Sequence, residues 1–271
     1  MQVYCILGDE RALRSRSPVM FSTVLKRLGM NGTYVPFKVL PGNLGKAVES
    51  LKLFNIAGAN ITVPYKEAVI PFMDVLSEGA DIIQAVNTIV CKNDVLKGYN
   101  TNAIGIMDAL GSVNFDVAGK SALVLGTGGA AKAVVFILNW LRAKTIVVAG
   151  RNTKKAQEIV NLFSGEPRPL NSICDQPLPV DIIFNTTSVS NADESPELAS
   201  LAENMNLPGC KIVFDLNYGH RRNFWKDMAI KKGIRFVDGL PVLAYQAKRT
   251  FALWTGAQVP SEEFLRTIIS D

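Results

Sequence analysis

The chain is 271 residues long, 48% hydrophobic and 20% charged, and its 29 basic and 24 acidic residues leave a net charge of +5. These values fit one or two globular domains with a real core, and the longest apolar run, Ala133 to Leu138, is far too short to span a bilayer. The basic residues are scattered, without the aromatic-interleaved stripe that nucleic acid needs, so the expected partner is a small anionic molecule rather than nucleic acid or membrane.

In chain order, Val3 to Leu7 predicts a strand and Gly8 to Arg16 a polar loop. Ser17-Pro18 suits a helix start, with Ser as cap and Pro in the first turn, and that helix should stop at Gly29. Thr33 to Val39 alternates as a strand, Leu44 to Leu53 is amphipathic at helical spacing, and Ala59 to Thr62 is a short strand before Val63-Pro64. Two short helices are predicted over 65–73 and 77–84. Thr88–Cys91 and Val95–Tyr99 flank Lys92-Asn93-Asp94 as a hairpin. Alternation of this kind marks an α/β layer domain of about 100 residues. A helix over 103–112 and a linker from Asn114 to Gly119 lead onward.

Ser121 to Asn152 carries the strongest local signal. Ala122 to Leu125 is a buried strand, Gly126-Thr127-Gly128-Gly129-Ala130-Ala131 is a tight turn, a helix follows to about Leu141, and Thr145 to Ala149 is a second strand. The first glycine permits the turn, the second lets a pyrophosphate approach the backbone, and Ala131 lets helix pack on strand. The helix N-terminus supplies unpaired N–H groups and a partial positive charge. This is a dinucleotide-binding βαβ unit of Rossmann type. An NAD site usually carries an acid after the second strand, but this chain has Gly150-Arg151-Asn152-Thr153-Lys154-Lys155. Arg151, helped by Lys154 or Lys155, is read as the clamp on a 2′-phosphate, which makes the cofactor NADP; a solvated basic turn is the other reading. Beyond it the pattern predicts a helix from Lys154 to Leu162, strands at Asp181–Asn185, Lys211–Leu216 and Ile234–Val237, and a helix near 221–232. Asn191 to Asn206 reads as a polar loop and helix. From Leu240 two helices are expected, the first with Leu243, Ala247, Phe251 and Trp254 on one stripe.

Candidate chemistry is narrowed by what is scarce. The one histidine, His220, excludes paired-histidine triads and most metal sites, leaving proton transfer to Lys, Asp, Glu or Tyr. Cysteines 5, 91, 174 and 210 form no close pair, and the N-terminus lacks a secretory signal, so a reducing cytoplasm is expected. Asn60 and Thr62 end a strand and lead through Pro64 to Lys66; Asn87 opens another strand; Asn100, Thr101 and Asn102 end a third. Each alone reads as a turn or cap. Together, at strand ends, they predict a polyhydroxylated ligand.

These stretches resemble the motifs of the shikimate dehydrogenase family (shikimate/quinate 5-dehydrogenase-like). Gly58-Ala59-Asn60-Ile61-Thr62-Val63-Pro64-Tyr65-Lys66, Ala85-Val86-Asn87-Thr88 and Gly98-Tyr99-Asn100-Thr101-Asn102 are similar to its substrate motifs. Ser15-Arg16-Ser17-Pro18 resembles its serine pair, and Gly239-Leu240-Pro241-Val242-Leu243-Ala244-Tyr245-Gln246-Ala247 its late glutamine motif. The resemblance implies two α/β domains: residues 1–102 plus 240–271 for substrate, and 103–239 as an NADP-binding Rossmann domain. It implies interconversion of 3-dehydroshikimate and shikimate by hydride transfer, in aromatic amino acid biosynthesis, in a monomer or homodimer. Carried over, Ser15 and Ser17 hold the substrate carboxylate, Asn60, Thr62, Asn87, Tyr218 and Gln246 bind substrate, and Lys66 handles the proton. Thr186, Thr187 and Ser188 lie beside the nicotinamide; Gly239 and Asn152 belong to the cofactor site. Five departures stand out. Asn102 replaces the aspartate paired with the lysine, Arg14 and Phe21 replace histidines, Val189-Ser190 replaces a small-Gly step, and Gly219-His220 replaces Asn-Pro. They leave a second expectation open: a paralogue acting on quinate or another cyclic hydroxy acid, or a weakly catalytic NADP-binding regulatory protein.

Overall fold

Strand and helix alternate almost throughout, and the strands segregate into two six-stranded sheets. The computed structural model describes residues 1–219 and 221–269, so His220 and the Gly219-His220 step lie outside the described residues. The chain divides into two units, Met1–Ile106 with the segment from Leu243 onward, and Met107–Val242. No helix among the described residues is long and apolar enough to cross a membrane.

In the first unit, β1 (Gln2–Gly8), α1 (Ser17–Arg27), β2 (Gly32–Lys38), α2 (Leu44–Leu53) and β3 (Gly58–Ile61) come first. β4 (Val75–Leu76), α3 (Glu78–Ile83), β5 (Thr88–Lys92), β6 (Val95–Tyr99) and α4 (Thr101–Ser112) follow. The sheet order is β2-β1-β3-β5-β6-β4. β1 pairs in parallel with β2 and β3, whereas β5 runs antiparallel to both β3 and β6. Cys5, Leu7, Ala59, Ile61 and Ile89 bury one side of these strands against Val48 and Leu51 of α2.

Three expectations change here. The loop 8–16 holds a 3-10 turn, Glu10–Arg14, capped by Asp9, whose carboxylate accepts from the Arg11 N–H. Over 65–73 there is no α-helix, only turns and a 3-10 stretch, Ile70–Phe72. The Lys66 carbonyl, which a helix would bond to residue 70, instead accepts from the Val86 N–H at 2.7 Å. Pro71 then has no N–H to continue the ladder. The third is α4, which starts at Thr101, two residues early, because Asn100 Oδ1 accepts from the Ala103 N–H at 3.3 Å.

The second unit contains β7 (Ser121–Leu125), α5 (Gly129–Trp140), β8 (Thr145–Gly150), α6 (Thr153–Phe163) and β9 (Glu166–Pro169). β10 (Ile182–Asn185), α7 (Pro196–Asn204), β11 (Ile212–Asp215), α8 (Phe224–Lys231) and β12 (Arg235–Val237) complete it. Among the described residues its strands pair in parallel, in the order β12-β11-β10-β7-β8-β9. The chain therefore reverses direction across the sheet between β7 and β10, which is the switch point where doubly wound sheets bind dinucleotides. β9 went unread because two of its four residues are proline; it survives as an edge strand, where a missing donor is tolerated.

The chain re-enters the first unit within α9 (Leu240–Thr255) and ends in α10 (Ser261–Ile269). Phe21, one of the departures noted above, stacks on Tyr34 with ring centroids 4.9 Å apart and meets Phe251, Trp254 and Phe264. A buried aromatic cluster thus fastens both terminal helices to α1 and β1, and Phe21 belongs to the core.

Candidate active site

In the first unit the polar residues read from strand ends converge on one hydrogen-bonded network. The Thr101 N–H donates to Asn87 Oδ1 at 2.7 Å. Asn87 Nδ2 lies 2.9 Å from Thr101 Oγ1, 3.0 Å from Asn102 Oδ1 and 2.9 Å from Gln246 Oε1. The hydroxyls of Thr88, Thr101 and Thr250 form a triangle with sides of 3.0–3.2 Å, fully buried. Asn60 Nδ2 donates to Thr88 Oγ1 and to the Asn87 carbonyl, both at 3.1 Å, while the Tyr34 hydroxyl donates to Asn60 Oδ1 at 2.8 Å.

Two expected substrate contacts are also members of this network. Asn60 is 5% exposed with both ends of its amide engaged, so it braces the network. Asn87 is 3% exposed and likewise engaged at both ends, with its Nδ2 bonded to Asn102 and Gln246. Thr250 and Tyr34 were missed. Thr250 had a signal: it lies four residues after Gln246 in an otherwise apolar stripe of α9.

Lys66 sits on the turn that replaced the expected helix, held by the Val86 N–H next to Asn87. Desolvation alone lowers its pKa from 10.5 to about 8. Among the described residues no charged neighbour adds to that shift. The turn before it is close-packed: a Cβ on Gly8 would strike the Thr62 methyl, which fixes the Thr62 side chain. Ser15 Oγ accepts from the Ser17 N–H at 3.2 Å, so both serines sit on one turn at the start of α1. Arg16, between them, donates to the Ile268 carbonyl of α10.

In the second unit Gly126 has φ +116, and a Cβ there would meet Thr186. Around Gly128 the space is open, as a phosphate approach requires, and Ala131 is buried where α5 meets the sheet. Thr127 packs on Gly150, so those two positions, one from each βα turn, fit together. Arg151, Lys154 and Lys155 are exposed, and Lys154 and Lys155 occupy a first helical turn that has no acid. The Asn152 side chain caps α6, its Oδ1 accepting from the Lys155 N–H at 3.0 Å.

The loop after β10 is built on a buried carboxylate. Asp215 accepts from Asn185 Nδ2 at 2.8 Å, Ser190 Oγ at 2.6 Å, Asn223 Nδ2 at 2.7 Å, and both the N–H and Nδ2 of Asn217 at 3.1 Å. Burial raises its pKa against the opposing pull of those bonds. Ser190 therefore has a structural partner in place of the missing glycine. The hydroxyls of Thr186 and Thr187 bond to the Leu125 carbonyl and to Asn185 Oδ1, while Ser188 is exposed. Tyr218 is half-buried just beyond β11, and Gly239 lets its chain approach the Leu216 carbonyl where a Cβ could not fit. Asn223, unread from sequence, joins this cluster to the start of α8.

Known proteins match along nearly the whole chain. Residues 7–89 match the shikimate dehydrogenase substrate binding domain, and residues 109–216 the shikimate / quinate 5-dehydrogenase family. The shikimate dehydrogenase (NADP(+)) of Caldanaerobacter subterraneus is 38% identical over 263 residues, covering 94% of this chain and 92% of that one. The crystal structure of shikimate dehydrogenase from Aquifex aeolicus superposes with a TM-score of 0.86 at 34% identity, covering 99% of this chain and 97% of that one. That of Thermus thermophilus, in complex with NADP(H) and shikimate, gives 0.84 at 30% identity, with 98% of each chain covered. With that extent of match and a sheet that reverses at its glycine-rich turn, the chain belongs to the shikimate dehydrogenase family.

Proposed function

We propose that the protein is an NADP-dependent oxidoreductase interconverting 3-dehydroshikimate and shikimate, with residues 1–102 and 240–271 binding substrate and 103–239 binding NADP. The observation that carries the chemistry is Lys66, whose desolvation lowers its pKa to about 8 and whose carbonyl accepts from the N–H of Val86, the residue before Asn87. In the oxidation direction the neutral amine of Lys66 takes the hydroxyl proton as the C–H bond of the carbinol carbon breaks. In the reverse direction the ammonium polarises the ketone and returns the proton. NADP, when bound, accepts or supplies the hydride. The Gly126–Ala130 turn and α5 N-terminus suit its pyrophosphate, and Arg151 with Lys155 suits a 2′-phosphate.

Ser15 and Ser17 hold the carboxylate, and Thr62 and Gln246 the ring oxygens. Asn87 and Asn60 fix the frame, Tyr218 lies toward the substrate, and Ser188 and Gly239 lie toward the cofactor. Four unpaired cysteines suit a reducing cytoplasm. The test is NADP reduction followed at several pH values with shikimate, quinate and both nicotinamide cofactors. Turnover of shikimate with NADP is expected; its absence alongside turnover of another hydroxy acid would overturn the substrate assignment.

A further inference from the structure

A backbone N–H can only donate, so the Thr101 N–H fixes which end of the Asn87 amide is oxygen. Asn87 Nδ2 therefore points the other way and requires acceptors from Asn102 and Gln246, which turn Oδ1 and Oε1 inward. Their NH2 groups are left facing out of the network. Among the described residues no buried side-chain polar atom lacks a partner, so these two donors reach the surface of the site. Lys66, largely ammonium at pH 7, adds three more donors. The hydroxyl of Thr62 can act either way, but the Asn102 and Gln246 amides and the Lys66 ammonium all present donors.

A ketone oxygen satisfies such donors with its lone pairs. An alcohol oxygen also accepts, yet it brings a hydrogen that needs an acceptor, and these three groups offer none. We propose that Asn102 is a specificity-determining residue whose outward N–H donor makes the site hold the ketone of its substrate pair more tightly than the alcohol. This rests on the reading that the pair is 3-dehydroshikimate and shikimate, with Lys66 at the reacting oxygen. An unpaired hydroxyl hydrogen corresponds to about tenfold in affinity. A carboxylate at 102 would still accept from Asn87 with one oxygen and would present the other to the ligand as an acceptor, favouring the alcohol.

The experiment is calorimetric titration of the full-length protein at pH 7, without cofactor, with each compound, for the native chain, Asn102→Asp and Asn102→Ala. In the native protein 3-dehydroshikimate is expected to bind about tenfold tighter than shikimate. Asn102→Asp lowers that ratio about tenfold or more, and Asn102→Ala moves it toward one by weakening the ketone alone. Should the aspartate variant fail to fold, the alanine variant carries the test. Equal native affinities, or one ratio shared by all three proteins, overturns the proposal while leaving the substrate reading intact. If neither compound binds a native protein that still binds NADP, the substrate reading falls and the proposal with it.

Discussion

The two units prepare for a ligand in opposite ways. In the unit carrying Lys66, the site is a set of side chains that hold one another, tying Asn87 to Gln246 across 159 residues of sequence at 2.9 Å. In the other unit, the ligand-facing surface is mostly backbone. Gly126 turns, Gly128 leaves space, and the α5 N-terminus presents N–H groups. A side-chain network gives directional recognition of hydroxyls and ketones but fails if one member is removed. A backbone cradle tolerates more sequence change and depends on what is absent, a Cβ or an acid. The one dense side-chain cluster of the second unit, around Asp215, lies behind its loop and shapes that backbone.

The sharpest break in this comparison is Lys66→Ala. Loss of the proton carrier should lower kcat/KM about 10³-fold, within the usual range for general acid–base groups, while NADP affinity is unchanged. In the native protein, oxidation of the alcohol should rise as pH passes through about 8, where the amine becomes neutral, and reduction of the ketone should fall over the same interval. Stability has its own sign. The folded pKa lies below the unfolded 10.5, so burying the charge costs stability fully below about pH 8, and the cost vanishes by 10.5. Lys66→Met should therefore melt higher than the native protein at pH 7, with the gap closing toward pH 10.5. A lower melting point at pH 7 would mean that Lys66 is not desolvated as described.

In the second unit the largest effect should come from Asp215→Ala. It leaves the donors of Asn185, Ser190, Asn217 and Asn223 without their shared acceptor, at a cost of about 3 kcal/mol or more. Chemical denaturation of both proteins measures it. A loss below about 1 kcal/mol would mean the cluster re-pairs readily.

These two residues also mark how far sequence could be read. Lys66 was legible because a strand end, a Pro and a Lys form a recognisable local motif. The Gly126–Ala131 turn was legible because its φ and packing demands are local. Asp215 was read only as part of the strand Lys211–Leu216, since the side chains that converge on it come from separate stretches of the chain. The same holds for Asn60, read as a ligand contact, whose bonds to Tyr34 and Thr88 at the two ends of its amide no local pattern announced. Helix 65–73 failed for a related reason: the Lys66 carbonyl is taken by Val86, twenty residues on, and periodicity cannot see that bond. Local patterns were readable; partners chosen by the tertiary fold were not.

Smaller effects sharpen the contrast. Arg151→Ala should weaken NADP binding by about 1.5–3 kcal/mol, the range for a hydrogen bond to a charged group, and leave NAD affinity nearly unchanged. Fluorescence titration of both cofactors reads the difference directly, and an unchanged NADP affinity would remove Arg151 from the site.

The smallest effect expected is that of Thr250→Val, which keeps the shape of the side chain and deletes one hydroxyl. Thr88 and Thr101 still face each other at 3.2 Å, and Asn60 still donates to Thr88, so no partner is left bare. The loss should be about 1 kcal/mol, or 2–4 °C in melting temperature for a chain of this size. Its second consequence is more informative. Thr250 is 3.0 Å from Thr101 Oγ1, which in turn lies 3.2 Å from Gln246 Oε1. Without Thr250, the Thr101 hydroxyl loses one of the neighbours that set its direction, and Gln246 is held less firmly. KM for shikimate should rise a few-fold at nearly constant kcat, because a ligand contact is loosened while Lys66 is untouched. NADP affinity should not move, since the glycine-rich turn shares no side chain with this network. A variant that altered NADP affinity and spared the KM for shikimate would show that the two recognition modes are not divided between the units as described.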